Sequence, residues 1–466
     1  MHPLTDQELR DTVSALLPDA VELLGELVRL PSVFGATPER LAACADTAHA
    51  IAAQLKFLGF PEPRLQETSD GSVTVLAHRP GRPGAPTVML YSHYDVQPEG
   101  DPADWRYPPF DVTRVGERLY GRGTADCKGS VVAHLAALRA LGDHCAAGVR
   151  FVCEGSEEQG GRGLDDYIRA HPEEFDDIDA ALILDASNPG PGRPAIVTSL
   201  RGVVVSRVSV RTGSRVLHSG TFGGAAPDAV MALMRLLAGL RDDNGDTVVD
   251  GLPNTSPVHT GGYPESDFRA HTGLPESGRV LGTADVATQL WARPALTVMA
   301  TDIPALSQAV PAVQPVARAL VNLRVPPGVP AQAAAELLAA HVLRHNPWQA
   351  DIEIEHLVVS DPFVSTTDGA AHQVLARTLS DAYGRAAVNV GSGGSIPLCG
   401  TLRAAVPDAE ILLLGISEPG SNIHAADESV LLSDLRAAIT AEAMFLRDLP
   451  TVPPNSTIPP QRSQLI

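Results

Sequence analysis

The chain has 466 residues, 44% of them hydrophobic and 19% charged, which is a globular composition. Its 41 glycines and 39 prolines make up about 17% of the chain, too few for a collagen-like or low-complexity sequence. Thirty-five basic against 55 acidic side chains leave a net charge of −20, a field that repels nucleic acid and anionic lipid, so neither is expected as a partner.

At the N-terminus, Thr5-Asp6-Gln7-Glu8 has the spacing of a capping box, and Leu9, Val13, Leu16 and Leu17 follow at helical intervals. This start has neither the basic residues nor the apolar core of a signal peptide, and no apolar run approaches the ~18 residues of a membrane span. The five cysteines (Cys44, Cys127, Cys145, Cys153 and Cys399) form no C-x-x-C pair. An odd, sparse set points to a reducing compartment, and the expected location is the cytoplasm.

Four short apolar segments then share one pattern: each ends at a polar residue able to do chemistry. Thr87–Ser92 runs into His93 and Asp95, and Val149–Cys153 into Glu154, Glu157 and Glu158. Ala180–Leu184 runs into Asp185, and Ile411–Ile416 into a loop holding His424. Near-continuous apolar runs fit strands covered on both faces. Between the first two, Val131, Leu135, Leu138 and Leu141 predict a helix over Gly129–Leu141. The fold class expected is α/β: a mixed, mainly parallel sheet sandwiched by helices, with ligands gathering outside the carboxyl ends of its strands.

The middle of the chain has another rhythm. Ser206–Arg211, Val316–Arg324 and Asp351–Glu355 alternate polar and apolar residues, the mark of a sheet wet on one face. Helical stretches near Pro227–Leu240 and Ala331–His345, with a further strand near Ala295–Ala300, give the order β-α-β, β-α-β of a ferredoxin-like domain. The expected division is 1–197 and 359–466 for the first, discontinuous domain and 198–358 for the inserted one. Residues 242–290 are rich in Gly, Pro, Asp and Ser and read as long loops. The tail from Thr451 reads as an extended end.

His93, Asp126, Glu157, Glu158, Asp185 and His424 are the residues around which chemistry is expected. Taken singly each has an ordinary explanation: a strand-end turn, a helix cap, a solvated pair. Together they offer imidazole and carboxylate, the donors that suit Zn²⁺ and its neighbours. A two-metal site with one bridging carboxylate uses about five protein ligands, which leaves one carboxylate as a base.

The segments SHYDVQP (92–98), GRGTADCKG (121–129), EGSEEQGG (154–161), LILDAS (182–187) and SNIHAADE (421–428) carry a resemblance over nearly the whole chain. In this order they resemble the zinc-dependent metallopeptidases of the aminoacylase, carboxypeptidase G, succinyl-diaminopimelate desuccinylase and carnosine dipeptidase type. The resemblance implies two zinc ions per subunit, with manganese or cobalt as substitutes. His93 and Asp185 would hold one ion, Glu158 and His424 the other, and Asp126 would bridge. Asp95 would orient His93, and Glu157 would be the general base. It also implies that the inserted domain is a lid and dimerisation domain. In it, His218 of the LHSGTFGG loop would serve the partner subunit of a homodimer, and Arg324 would bind the substrate carboxylate. Gly394 and Ser395 of GGSIP would line the substrate-terminus pocket. One departure stands out: Cys127 follows Asp126 where many dipeptidase relatives carry a second Asp, at a peptide bond that is often cis in the family.

SHYDVQP, the LHSGTFGG loop and GGSIP look closest to the dipeptidase branch. The expected function is hydrolysis of dipeptides or short peptides with a free C-terminal carboxylate. The alternatives are an N-acyl amino acid amidohydrolase of the aminoacylase or desuccinylase type, and a non-catalytic binding protein on the same fold.

Overall fold

The computed structural model describes residues 4–35, 37–254 and 262–449. The expected extended tail from Thr451 lies outside them. By its internal contacts the chain divides into unit one (Met1–Thr198, Ser365–Val390 and Pro397–Ile466) and unit two (Ser199–Val364 and Gly391–Ile396).

Unit one opens with helix α1 (Asp6–Val28). Thr5 Oγ1 accepts the Glu8 N–H at 3.2 Å and Glu8 Oε2 accepts the Thr5 N–H at 2.7 Å, so the capping box satisfies donors at both ends of the first turn. Helix α2 (Pro38–Phe57) starts with a proline, whose missing N–H costs nothing there. Seven strands of a nine-stranded sheet are β1 (Arg64–Glu67), β2 (Val73–Arg79), β3 (Thr87–His93), β4 (Gly148–Glu154), β5 (Ile178–Leu184), β6 (Ala195–Leu200) and β7 (Glu410–Leu414). The chain passes into unit two along β6. The strand order is β1-β2-β4-β3-β5-β7-β6. The four central strands, β4, β3, β5 and β7, are mutually parallel, while β2 and β6 run antiparallel to them.

Central position explains the unbroken apolar runs. Val88–Tyr91 and Ala180–Leu184 are buried from end to end, so alternation has no place in them. Helices α3 (Lys128–Leu141), α4 (Ala370–Tyr383) and α5 (Leu432–Asp448) pack with α1 around this core. The parallel arrangement brings the carboxyl ends of β4, β3, β5 and β7 to one edge. There His93 pairs in register with Glu154.

Unit two holds a four-stranded antiparallel sheet in the order Ala295–Asp302, Val316–Val325, Gly202–Arg211, Asp351–Ser360. Helices Ala229–Ala238 and Ala331–Arg344 join these strands into a β-α-β-β-α-β path and cover one face. On that face Val204, Val208, Val210, Ala317, Val321 and Leu323 meet Leu233, Leu236, Leu338 and Val342. The other face is wet and charged, with Arg207 paired to Glu355 at 3.1 Å and Arg318 to Asp302 at 2.8 Å.

Residues 242–290 differ from the loops expected of them. They contain the helix Glu265–Thr272 and most of the helix Val286–Trp291. Asp285 caps the second, accepting the Thr288 N–H at 3.1 Å, so an aspartate that reads as a loop residue is a helix start. Among the described residues no helix is long and apolar enough to cross a membrane.

Candidate metal centre

Four side chains of unit one, those of His93, Asp185, Glu158 and His424, converge around Asp126. His93, at the end of β3, points Nε2 at Asp126 Oδ1 (2.9 Å) and lies 3.4 Å from Asp185 Oδ1, just beyond β5. His424 reaches the other Asp126 oxygen, with Nε2 at 3.1 Å from Oδ2 and also 3.1 Å from Glu158 Oε2. Asp126 therefore faces one imidazole with each oxygen, and each imidazole has a second carboxylate beside it. One ligand atom each from His93, Asp126, Cys127 and Asp185 lie within 4.8 Å of one another, as do those from Asp126, Glu158 and His424.

The backbone around these residues is unusual. The Asp126–Cys127 peptide is cis. His424, Asn422 and Asp427 all have positive φ (63°, 53° and 58°), a region that non-glycine residues hold only where the surroundings demand it. Glu428, at the end of this loop, ties it to the segment that carries Asp126. Its Oε1 accepts the N–H groups of Gly123, Ala125 and Asp126, each at 3.0 Å, and its Oε2 meets Arg122 Nη1 at 2.7 Å. At Gly129, in the first turn of α3, a Cβ would fall 2.1 Å from the Thr124 carbonyl oxygen, so only glycine lets the helix start this close to the loop.

Asp95 has more partners than the sequence implies. His93 Nδ1 sits 3.0 Å from the Asp95 backbone oxygen and 3.4 Å from its carboxylate. That carboxylate instead accepts the N–H of Glu157 at 3.1 Å and of Glu158 at 3.0 Å, pinning the short turn that carries both glutamates. Cys127 is buried, and its thiol donates to the Leu184 carbonyl at 3.0 Å.

Charge is crowded here. Burial raises the proton affinity of Glu157, and the neighbouring Asp185 adds to it. Burial likewise raises Asp185 and Asp95. Asp126 moves the other way: hydrogen bonds from His424 and His93 outweigh its burial. Those with Asp126 and Glu158 lift His424 to about 10. Carboxylates and imidazoles this close share positive charge, either as protons on the rings or as bound cations. Glu158 Oε1 is buried with no hydrogen-bond partner, an orphan acceptor at this site. The donor set, two imidazoles and three carboxylates, fits a pair of divalent ions of the zinc type.

The remaining sequence-derived candidates belong to unit two. His218 is exposed at the start of the short helix Ser219–Phe222, its Nδ1 accepting the Gly220 N–H at 3.1 Å. Arg324 lies on the strand Val316–Val325, and Gly394 and Ser395 follow Gly393 in the segment that returns to this unit. Beside them stands a residue the sequence reading missed, Arg201. Its Nε donates to the Gly393 carbonyl at 3.4 Å and its Nη1 to the Arg293 carbonyl at 3.3 Å. Burial, and then the charge of Arg324, pull Arg201 down to about 9. Its one trace in the sequence is an arginine at the Leu200-Arg201-Gly202 junction between two apolar strands. Glu428 and Lys128 were also missed. Lys128 is buried and donates to the carbonyls of Leu27 and Leu30 at 2.8 and 2.5 Å.

The profile of peptidase family M20/M25/M40 matches residues 89–448. A cysteinylglycine-S-conjugate dipeptidase from Corynebacterium striatum is 38% identical over 450 residues, which cover 95% of this chain and 98% of the relative. The fold is shared with the dipeptidase Dug1p of Saccharomyces cerevisiae (TM-score 0.84, 22% identity, 96% and 99% of the two chains). It is shared equally with human carnosine dipeptidase 1 (TM-score 0.83, 20% identity, 97% and 100%).

Proposed function

The chain belongs to peptidase family M20/M25/M40, and on that premise we propose that it is a di-zinc dipeptidase cleaving dipeptides or short peptides with a free C-terminal carboxylate. The observation that carries this reading is Asp126 set between two imidazoles, 2.9 and 3.1 Å from its two oxygens, each imidazole completed by a further carboxylate. His93 and Asp185 would hold one ion and Glu158 and His424 the other, with Asp126 shared. When bound, the ions supply Lewis-acid polarisation of the scissile carbonyl and a water acidic enough to attack at neutral pH.

The chain's own residues do the rest. Glu157 takes the proton of the attacking water on a carboxylate oxygen and passes it to the leaving amine. Asp95 fixes Glu157 and Glu158 through their backbone N–H groups and steadies the His93 ring. Arg324, with Arg201 beside it, forms a guanidinium pair that suits a substrate carboxylate, and Gly394 and Ser395 line the pocket around that terminus. Unit two acts as lid and dimerisation domain, and His218 of one protomer stabilises the oxyanion in the site of its partner. The five free cysteines fit a cytoplasmic enzyme.

The test is a hydrolysis panel. Cysteinylglycine, its S-conjugates and β-alanylhistidine are set beside N-acetyl amino acids, with Zn²⁺ or Mn²⁺ and with chelator. Chelator-sensitive cleavage of the dipeptides is expected. Preferential cleavage of the N-acetyl substrates would move the protein to the aminoacylase side, and chelator-insensitive turnover would remove the metal mechanism.

A further inference from the structure

A second constellation of imidazole and carboxylate lies wholly within unit two. His341 and His345 are spaced i, i+4 at the end of the helix Ala331–Arg344, so both rings project from one helix face. Their centroids are 4.3 Å apart. Asp250 faces them from a tight turn closed by the Leu252 N–H to the Val249 carbonyl at 3.0 Å, with Gly251 in the left-handed region at φ 81°. A Cβ on Gly251 would lie 3.1 Å from Leu337 Cδ2, so this turn packs against the same helix.

Asp250 Oδ1 lies 3.4 Å from His341 Nδ1, and Asp250 Oδ2 lies 3.1 Å from His345 Nε2 and 2.6 Å from Arg344 Nη1. The Asp250 N–H donates to His341 Nδ1 at 3.1 Å, which puts the ring proton of neutral His341 on Nε2. One ligand atom from each of Asp250, His341 and His345 falls within 4.8 Å of the others.

A basic last turn facing an acidic side chain is an ordinary helix ending, and it accounts for Arg344 and for the exposed His345. It does not account for His341. That ring is buried, only 3% exposed, and its Nδ1 accepts a backbone N–H from the turn that carries Asp250. A buried imidazole whose Nδ1 lies beside a carboxylate, and a second imidazole one helical turn on, bring together the donor types of a zinc ligand set.

We infer that Asp250, His341 and His345 form a further cation site, taking one divalent ion of the zinc, cobalt or nickel class. Two imidazole nitrogens and a carboxylate oxygen supply three ligands, and water completes a tetrahedron. Binding exchanges the Asp250 N–H bond to His341 and the Arg344 contact for coordination. The site ties the Asp250 turn to the helix end and takes no part in hydrolysis. It does not rest on the reading of the Asp126 centre.

The experiment is equilibrium zinc binding to the metal-free full-length chain, followed by elemental analysis. It is run on the wild type and again with Asp126→Asn and His424→Ala together, so that uptake by unit two is read alone. Adding His345→Ala is expected to remove one zinc equivalent per chain in either background while leaving the circular dichroism unchanged, since that ring is exposed. The zinc-induced rise in melting temperature that survives in the double variant should vanish with it. Arg344→Ala separates the readings. It frees an Asp250 oxygen, so zinc binding should tighten several-fold, whereas a plain ion-pair cluster has no zinc affinity to gain. Equal zinc content with and without His345, or weaker uptake by Arg344→Ala, would overturn the assignment.

Discussion

Two glutamates a few residues apart illustrate how place decides chemistry. Glu157 stands among the carboxylates around Asp126, on a turn that Asp95 holds by two backbone N–H groups. The base role proposed for it makes it dispensable for metal and necessary for turnover, which a single substitution tests. Glu157→Gln should retain metal by elemental analysis and lose about 10²–10⁴-fold in kcat; near-normal kcat would assign the base elsewhere. Glu154, at the end of β4, is fully buried. Its Oε2 accepts the Tyr91 hydroxyl at 2.8 Å and its Oε1 has no partner. Burial pushes its pKa from 4.5 up to about 8. The native state therefore holds a proton that the unfolded chain releases near 4.5, so this contribution to stability is complete below that pH and is lost as pH rises through about 8. In the metal-free protein the melting temperature should fall across this window. Glu154→Gln, which keeps an acceptor for Tyr91 and cannot ionise, should flatten the fall and melt higher than the wild type on the alkaline side. Parallel pH profiles for the two proteins would remove Glu154 as the cause.

Elements bring these residues to one place, and a single glutamate fastens the loops between them. Glu428 follows the His424 loop and accepts three N–H groups from the Gly121–Gly129 segment while pairing with buried Arg122. Removing the carboxylate strands a guanidinium and three donors in the interior. Glu428→Ala should cost about 3–5 kcal/mol in denaturant unfolding, the usual price of breaking a buried pair. It should also weaken zinc binding, because the loops it joins carry Asp126 and His424. Unchanged unfolding would mean that the segment is held by packing alone. The strand ends were legible in the sequence because a central parallel strand writes itself as an unbroken apolar run, and the polar residue that stops it stands out. Asp126 and His424 sit on loops and were found through their motifs. Glu428, Lys128 and Arg201 left no such trace. Their partners are backbone groups far away in sequence, and a lone charged residue reads the same whether it is buried or solvated. The roles of Asp95 were half legible: its closeness to His93 follows from spacing, but its grip on Glu157 and Glu158 depends on β3 and β4 lying side by side. The helices inside 242–290 were hidden by composition, since Asp285 caps a helix with a residue equally at home in a turn.

At the scale of the whole molecule the open matter is what the second unit does for the first. His218 is exposed, is held by its own loop, and is placed by the family resemblance in the service of a partner subunit. Trans donation has a consequence that no arrangement within one subunit shares. His218→Ala and Glu157→Gln should each be nearly inactive as pure dimers. In a hybrid dimer the site that keeps Glu157 receives the intact His218 of the other protomer, while the second site carries both lesions. Random mixing of equal amounts makes about half of the dimers hybrids, each with one working site, so turnover should recover to about one quarter of the wild-type value. The mixture must be unfolded and refolded or co-expressed with distinct tags, so that hybrids can be purified and counted. A hybrid fraction with no more turnover than its parents would place His218 in service of its own subunit or remove it from the reaction. A monomer in solution would reject the shared site outright, since His218 would then have no partner to serve.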